Sequence, residues 1–236
     1  MDRNAEFDQF ADNYEKILEA PCALSGESPD FYAEQRVLWC RDKLRRLLPV
    51  ATVLDFGCGI GGSFSHFFEL LGCTTVIGID PSVKSLRVAK GRYPRYNIRL
   101  ATPRDFVPNA DLPLGFCNGV FHHIPPAERF EALAYVRACL ADDGIFAFWE
   151  NNPWNPVVVY GMSTNEFDRG AQTISPRAAT RLIEAAGFRI DSLDFCSFFP
   201  HFARRLRPLE KHLRWLPAGA QYLVLARKIG PATART

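Results

Sequence analysis

No stretch of this 236-residue chain offers the roughly 18 uninterrupted apolar residues that a membrane-spanning helix needs. None of its seven cysteines, at 22, 40, 58, 73, 117, 139 and 196, stands in a Cys-x-x-Cys pair, so no metal site is expected. Their odd number, with a polar N-terminus (Met1 to Glu6) that carries no export signal, predicts reduced thiols in the cytoplasm. Charge excess is also lacking. The 28 Lys and Arg against 26 Asp and Glu leave +2, which gives no whole-chain footprint for nucleic acid. No repeat or low-complexity linker divides the chain. A length of 236 residues with 47% hydrophobic and 23% charged content suits one soluble α/β domain.

One segment concentrates the information: Val53-Leu54-Asp55-Phe56-Gly57-Cys58-Gly59-Ile60-Gly61. An apolar run ends in an acid and breaks into alternating glycines. The next run, Thr75 to Ile79, ends in Asp80. The order strand, glycine turn, helix, strand is the first half of a nucleoside-binding α/β domain. A dinucleotide site wants G-x-G-x-x-G; this chain has Asp-x-Gly-x-Gly-x-Gly, with Gly62 adding a loose G-x-x-G. Asp55 beside the glycines would repel a pyrophosphate and suits a cationic group. Asp80 is placed to accept ribose hydroxyls, and Asp also serves as a helix N-cap ahead of Pro81.

Strands are predicted over 52–56, 75–79, 98–100, from 114, and over 145–149. A further pair is expected in 188–199 and 221–227. Helices are predicted over 1–20, 31–48, 62–71, after Pro81, over 127–140 (Phe130, Leu133, Val136 and Leu140 inward) and from Ser175-Pro176 to Ala186. Asp143-Gly144 reads as a turn and 150–156 as a proline-stiffened loop. This alternation implies a mostly parallel sheet with ligands at the carboxyl ends of its strands.

The Asp55–Gly61 loop resembles motif I of class I S-adenosylmethionine-dependent methyltransferases, and the resemblance runs over about residues 30–228. Phe7-x-x-Phe-Ala-x-x-Tyr14, Phe121-His122-His123-Ile124-Pro125 and Leu140-Ala-Asp-Asp-Gly144 resemble segments of the family's small-molecule branch. The resemblance implies a Rossmann-like sheet of seven strands, mostly parallel with one antiparallel edge strand, helices on both faces and an N-terminal helical cap. It implies three regions: a cap or substrate lid over 1–48, a cofactor-binding domain over 49–229 with acceptor-side insertions at 150–162 and 195–216, and a flexible tail over 230–236.

The cofactor implied is S-adenosyl-L-methionine, leaving S-adenosyl-L-homocysteine. Asp55, Gly57, Cys58, Gly59 and Gly61 would approach its adenosyl and methionyl parts, Asp80 and Pro81 the ribose, and Asp105 and Phe106 the adenine. Cys117, Asn118 and Phe121 would lie beside the methionyl moiety, and Tyr14 would close over the cofactor. By residue type alone, Cys117 and Phe121 read equally as core and Asn118 as a turn former.

His122, His123 or Glu150 would be the general base for a hydroxyl acceptor; a histidine can instead pack beneath the site. Arg36, Asn151, Asn152 and Trp154 are the candidate acceptor contacts. The expected acceptor is a small molecule or a lipid- or glycan-type metabolite. No nucleic-acid partner is expected. The basic, aromatic stretch over 198–215 reads as a solvated capping helix or a weak membrane-surface contact. The acceptor atom and the oligomeric state stay open. So do a nicotinamide oxidoreductase, a decarboxypropylating synthase and a catalytically silent partner protein.

Overall fold

The computed structural model of the chain describes Asp8, Ile17, Glu19 and residues 22–230. Tyr14, most of the predicted lead-in over 1–20 and residues 231–236 lie outside the described residues.

Seven strands form one sheet: β1 Thr52–Phe56, β2 Thr75–Ile79, β3 Ile98–Ala101, β4 Leu112–Asn118, β5 Leu140–Asn151, β6 Phe188–Cys196 and β7 Gln221–Lys228. Their order is β3-β2-β1-β4-β5-β7-β6. The pairs from β3 through β5 are parallel, whereas β7 runs antiparallel to both β5 and β6. The antiparallel strand therefore sits one place in from the edge that β6 forms. The chain winds outward from β1 to β3 and then returns to β4 on the other side of β1. Such a reversal opens a crevice at the carboxyl ends of the two central strands.

Period-two alternation divides the core between the two faces of the sheet. Leu54, Cys117 and Phe148 pack on one face with Phe121 and Tyr222. Val53, Phe116 and Trp149 pack on the other with Phe64 and Phe67. Strand β5 is covered on both faces, so Ile145 to Trp149 are all apolar and buried. Glu150, at 1% exposure, is the polar exception at its end.

The helices start where the sequence supplies caps. α1 Pro29–Lys43 begins with Ser28 accepting the Phe31 N–H at 3.1 Å and Pro29 in its first turn. α2 Phe64–Leu71 ends at Gly72, whose φ of 67° is the left-handed stop. α3 Val83–Arg92 is capped by Ser82, and α4 Arg129–Cys139 leads into β5. α5 Pro156–Thr164 is capped by Asn155, α6 Pro176–Ala185 by Ser175, and α7 Glu210–Leu213 is one turn long.

Several expectations shift. Part of the stretch read as the 150–162 insertion is helix α5. β5 runs through Asp143-Gly144, with Asp143 at φ 61°. Phe130 is half-exposed, because α4 turns that flank outward. Residues 201–209 form 3-10 turns ahead of α7, leaving Phe202 and Trp215 exposed. Among the described residues no helix is long and apolar enough to cross a membrane.

Candidate active site

The glycine loop fastens β1 to β2. Gly57 and Cys58 donate their N–H groups to Ile79 O at 2.7 and 3.1 Å, and Gly59 donates to Asp80 Oδ2 at 2.8 Å. Gly61 donates to Cys58 O at 2.9 Å. These four amides are satisfied within the protein and are not available to a pyrophosphate. Gly57 needs its missing side chain: its φ is 76°, and a Cβ there would meet Val120 Cγ2 at 2.2 Å.

Above the loop opens a cavity of about 640 Å³. Its floor includes Asp55, Gly57, Cys58 and Asn118, and its walls include His122, His123, Arg36 and Asn151. The roof comes from residues 22–36, 155–168 and 197–202. The first and last of these pieces are tied together. Glu27 Oε1 accepts from Arg207 Nη2 at 2.5 Å and lies 2.9 Å from His201 Nδ1, while the Arg207 guanidinium lies 4.4 Å over the Phe31 ring. Glu210 accepts the N–H groups of Ser197, Phe198 and Phe199 at 3.1–3.2 Å.

Two floor groups await a donor. Asn118 Oδ1 is buried without a hydrogen-bond partner among the described residues. Asp55 is buried too, and no donor among the described residues reaches its carboxylate. Burial, reinforced by Asp80 and eased by Arg36, pushes Asp55 up to about 8. Asp80 is pushed up to about 6 by burial, against the pull of the Ser82 and Gly59 amides. Those amides donate to its two oxygens at 2.8 Å each, so Asp80 also clamps the loop.

On the other wall, Glu150 Oε2 lies 2.6 Å from His122 Nδ1. Glu150 Oε1 accepts the N–H groups of Phe121 and His122 at 2.7 and 3.3 Å. His122 Nε2 faces Asp168 Oδ1 at 3.3 Å. Burial opposes a charge on His122, but the two carboxylates outweigh it and raise the group to about 10. His123 is lowered to about 4 by burial and then by the charge of His122.

The remaining predicted residues fall elsewhere. Glu150 lies behind His122 and outside the cavity lining, so it is not placed as a base for an acceptor. Asn152 is fully buried and donates to Gly219 O at 2.8 Å. Trp154 stacks near Phe195 in a separate hollow with Pro126 and Arg129. Cys117 and Phe121 are core. Asp105 is exposed and accepts from Thr102 Oγ1 at 2.7 Å; Phe106 packs against the core, its carbonyl accepting from Tyr135 at 3.1 Å. Gly59, Gly61, Asp80 and Pro81 stand outside the cavity lining. Gln221 and Asp168 line it and were not anticipated.

A family model described as a methyltransferase domain matches residues 54–146. Over residues 54–146, then, the chain is similar to that methyltransferase family. A trans-aconitate 2-methyltransferase from Azoarcus sp. (strain BH72) is 35% identical over 96 residues, 40% of this chain and 38% of that protein. Another of that name, from Sinorhizobium medicae (strain WSM419), is 29% identical over 153 residues, 64% of this chain and 59% of that protein. The chain thus spans between about two fifths and three fifths of these curated relatives. A SAM-dependent methyltransferase structure from Archaeoglobus fulgidus shares the fold at a TM-score of 0.59 and 20% identity, over 80% of this chain and 93% of that one.

The methyltransferase cofactor, S-adenosylmethionine, fits the donor-seeking floor. Its ammonium would match Asp55 and Asn118 Oδ1, which has no partner among the described residues, and its ribose hydroxyls would match Asp80, which stands just outside the cavity lining with acceptor capacity left beside two amides.

Proposed function

We propose that this chain transfers a methyl group from S-adenosylmethionine to an oxygen of a small molecule that carries a carboxylate. The observation that carries the reading is the buried Asp55 carboxylate, which no donor among the described residues reaches, beside Asn118 Oδ1 on the cavity floor. A cationic amino group is the partner such a pair lacks. Bound there, the cofactor supplies an electrophilic methyl group on a sulfonium.

The acceptor wall supports an acid. Arg36 Nη1 donates to Gln221 Oε1 at 3.0 Å, and Gln221 Nε2 donates to Asn151 Oδ1 at 3.4 Å. This relay holds the planar guanidinium in place, and a guanidinium fork matches a carboxylate better than an ammonium does. Val158, Met162, Phe167 and Phe198 give the rest of the chamber an apolar surface. The relatives are named for trans-aconitate, an acid. A carboxylate reaches the site already ionised and needs no base. That agrees with Glu150 being buried and His122 lying between two carboxylates. Rate then comes from alignment and exclusion of water. The cap over 22–43 and the 197–210 segment serve as the acceptor lid.

Calorimetric titration with S-adenosylhomocysteine, on the wild type and Asp55→Asn, tests the floor. Asp55 is the better probe than Asp80, because Asp80→Ala would also unfasten Gly59 and Ser82. Saturable binding that Asp55→Asn weakens supports the reading; a folded wild type that does not bind overturns it. A screen of small carboxylic acids for methyl ester formation tests the acceptor. Cofactor binding without turnover of any acid would reduce the chain to a cofactor-binding protein.

A further inference from the structure

We propose that His122, His123 and Asp168 bind a first-row divalent cation in the cavity wall. Their ligand atoms converge. His122 Nε2 and His123 Nε2 lie 3.3 and 3.7 Å from Asp168 Oδ1, and all three atoms fall within 4.8 Å of one another. Two ligands held at about 2.1 Å from a metal at a tetrahedral angle stand about 3.4 Å apart, close to both histidine–aspartate distances.

The supports behind the three ligands are those a metal site requires. Glu150 Oε2, 2.6 Å from His122 Nδ1, fixes a proton on that nitrogen, so a cation that binds displaces the proton on Nε2 and takes that lone pair. Glu150 is itself held by the backbone N–H groups of Phe121 and His122. Asp168 has its other oxygen occupied, with Asn165 Nδ2 donating to Oδ2 at 3.0 Å. The strand of chain after Asp168 is pinned beside the site by Gln172 N–H donating to His122 O at 2.7 Å. An ion pair alone accounts for His122 facing Asp168. It does not account for a second imidazole Nε2 turned to the same oxygen, its ring 4.1 Å from the first.

Two imidazoles and one carboxylate suit zinc, iron(II), cobalt(II) or manganese(II), and three protein ligands leave coordination positions open. All three residues line the cavity, so those positions face the chamber. Cation binding stands independently of methyl transfer. Its use as a handle for the acceptor's carboxylate rests on the function proposed above.

The untagged full chain, stripped with chelator, is titrated with cobalt(II) followed by visible absorption and with zinc(II) followed by calorimetry. One equivalent of each should bind, the cobalt giving d–d bands that zinc abolishes. Asp168→Asn and His123→Gln should each weaken binding at least tenfold while keeping the circular dichroism spectrum and S-adenosylhomocysteine affinity of the wild type. Glu150→Gln should cost about 10- to 100-fold in metal affinity, the usual effect of losing an outer-shell carboxylate. A folded wild type that binds neither metal overturns the proposal, as does binding unchanged in both ligand variants. If one variant fails to fold, the other decides.

Discussion

Glu150 Oε2 and His122 Nδ1 stand 2.6 Å apart with both side chains almost wholly buried, joining the end of β5 to the turn after β4. Removing one partner of a buried ionic pair costs about 3–5 kcal/mol, since the other is left uncompensated. Glu150→Ala should lower the unfolding free energy in urea by that order. Glu150→Gln keeps an acceptor for the two amides and should cost less. A loss below about 1 kcal/mol for Glu150→Ala, the value of a surface pair, would show that the pair is not a structural tie.

Asp55 should make cofactor binding pH-dependent. The group ionises near 4 in an unfolded chain and near 8 in the folded one. Between these values the folded chain binds the extra proton. The stability Asp55 contributes is therefore full below about 4 and is lost as pH rises to about 8. An ammonium ligand favours the ionised carboxylate, so S-adenosylhomocysteine affinity should rise from pH 6 to 8, with proton release visible in buffers of different ionisation enthalpy. Asp80, at about 6, adds to the lower part of the same rise. Asp55→Asn should flatten the profile; an unchanged slope would remove Asp55 from the binding site.

Arg36 and Gln221, in contact at 3.0 Å, should govern the acceptor and not the cofactor. Arg36→Lys keeps the charge near Asp55 but loses the fork. The acceptor KM should rise about tenfold, equivalent to one charged hydrogen bond of about 1.4 kcal/mol. S-adenosylhomocysteine affinity should stay within a factor of three. A drop in cofactor affinity with KM unchanged would place Arg36 on the wrong side of the chamber.

Gly57→Ala should destabilise the chain by about 2–4 kcal/mol, combining the left-handed backbone penalty with overpacking. The overpacking is against Val120 Cγ2, which a Cβ would meet at 2.2 Å. Adding Val120→Ala should recover the packing share and leave the backbone share. Thermal denaturation of the two variants measures both, and no recovery in the double variant would put the whole cost on the backbone.

The local parts of this fold were legible. β1 and β2 span the residues that the apolar runs marked, because a buried parallel strand must be continuously apolar and its ends are cut by the glycine loop and Asp80. α5 was missed although Asn155-Pro156 is a good cap and first turn. Pro153 and Pro156 carried the loop reading, and the β-branched Val157, Val158 and Val159 that follow give only a weak helix signal. The acids at strand ends were found, but not their partners. Glu150 and Asp80 both spend their oxygens on backbone amides, which no spacing reveals. Asp168 carried no signal at all. It reaches His122 only because the chain after α5 folds back over the site.

The clip made by Glu27, Arg207 and His201 sorts the molecule by more than geometry. The recognisable methyltransferase stretch stops at residue 146, and every segment of the roof lies outside it. Heredity can therefore revise the two halves separately. On the function proposed above, substitutions in the clipped roof would change which molecule is admitted, while the floor proposed to hold the cofactor stays as it was.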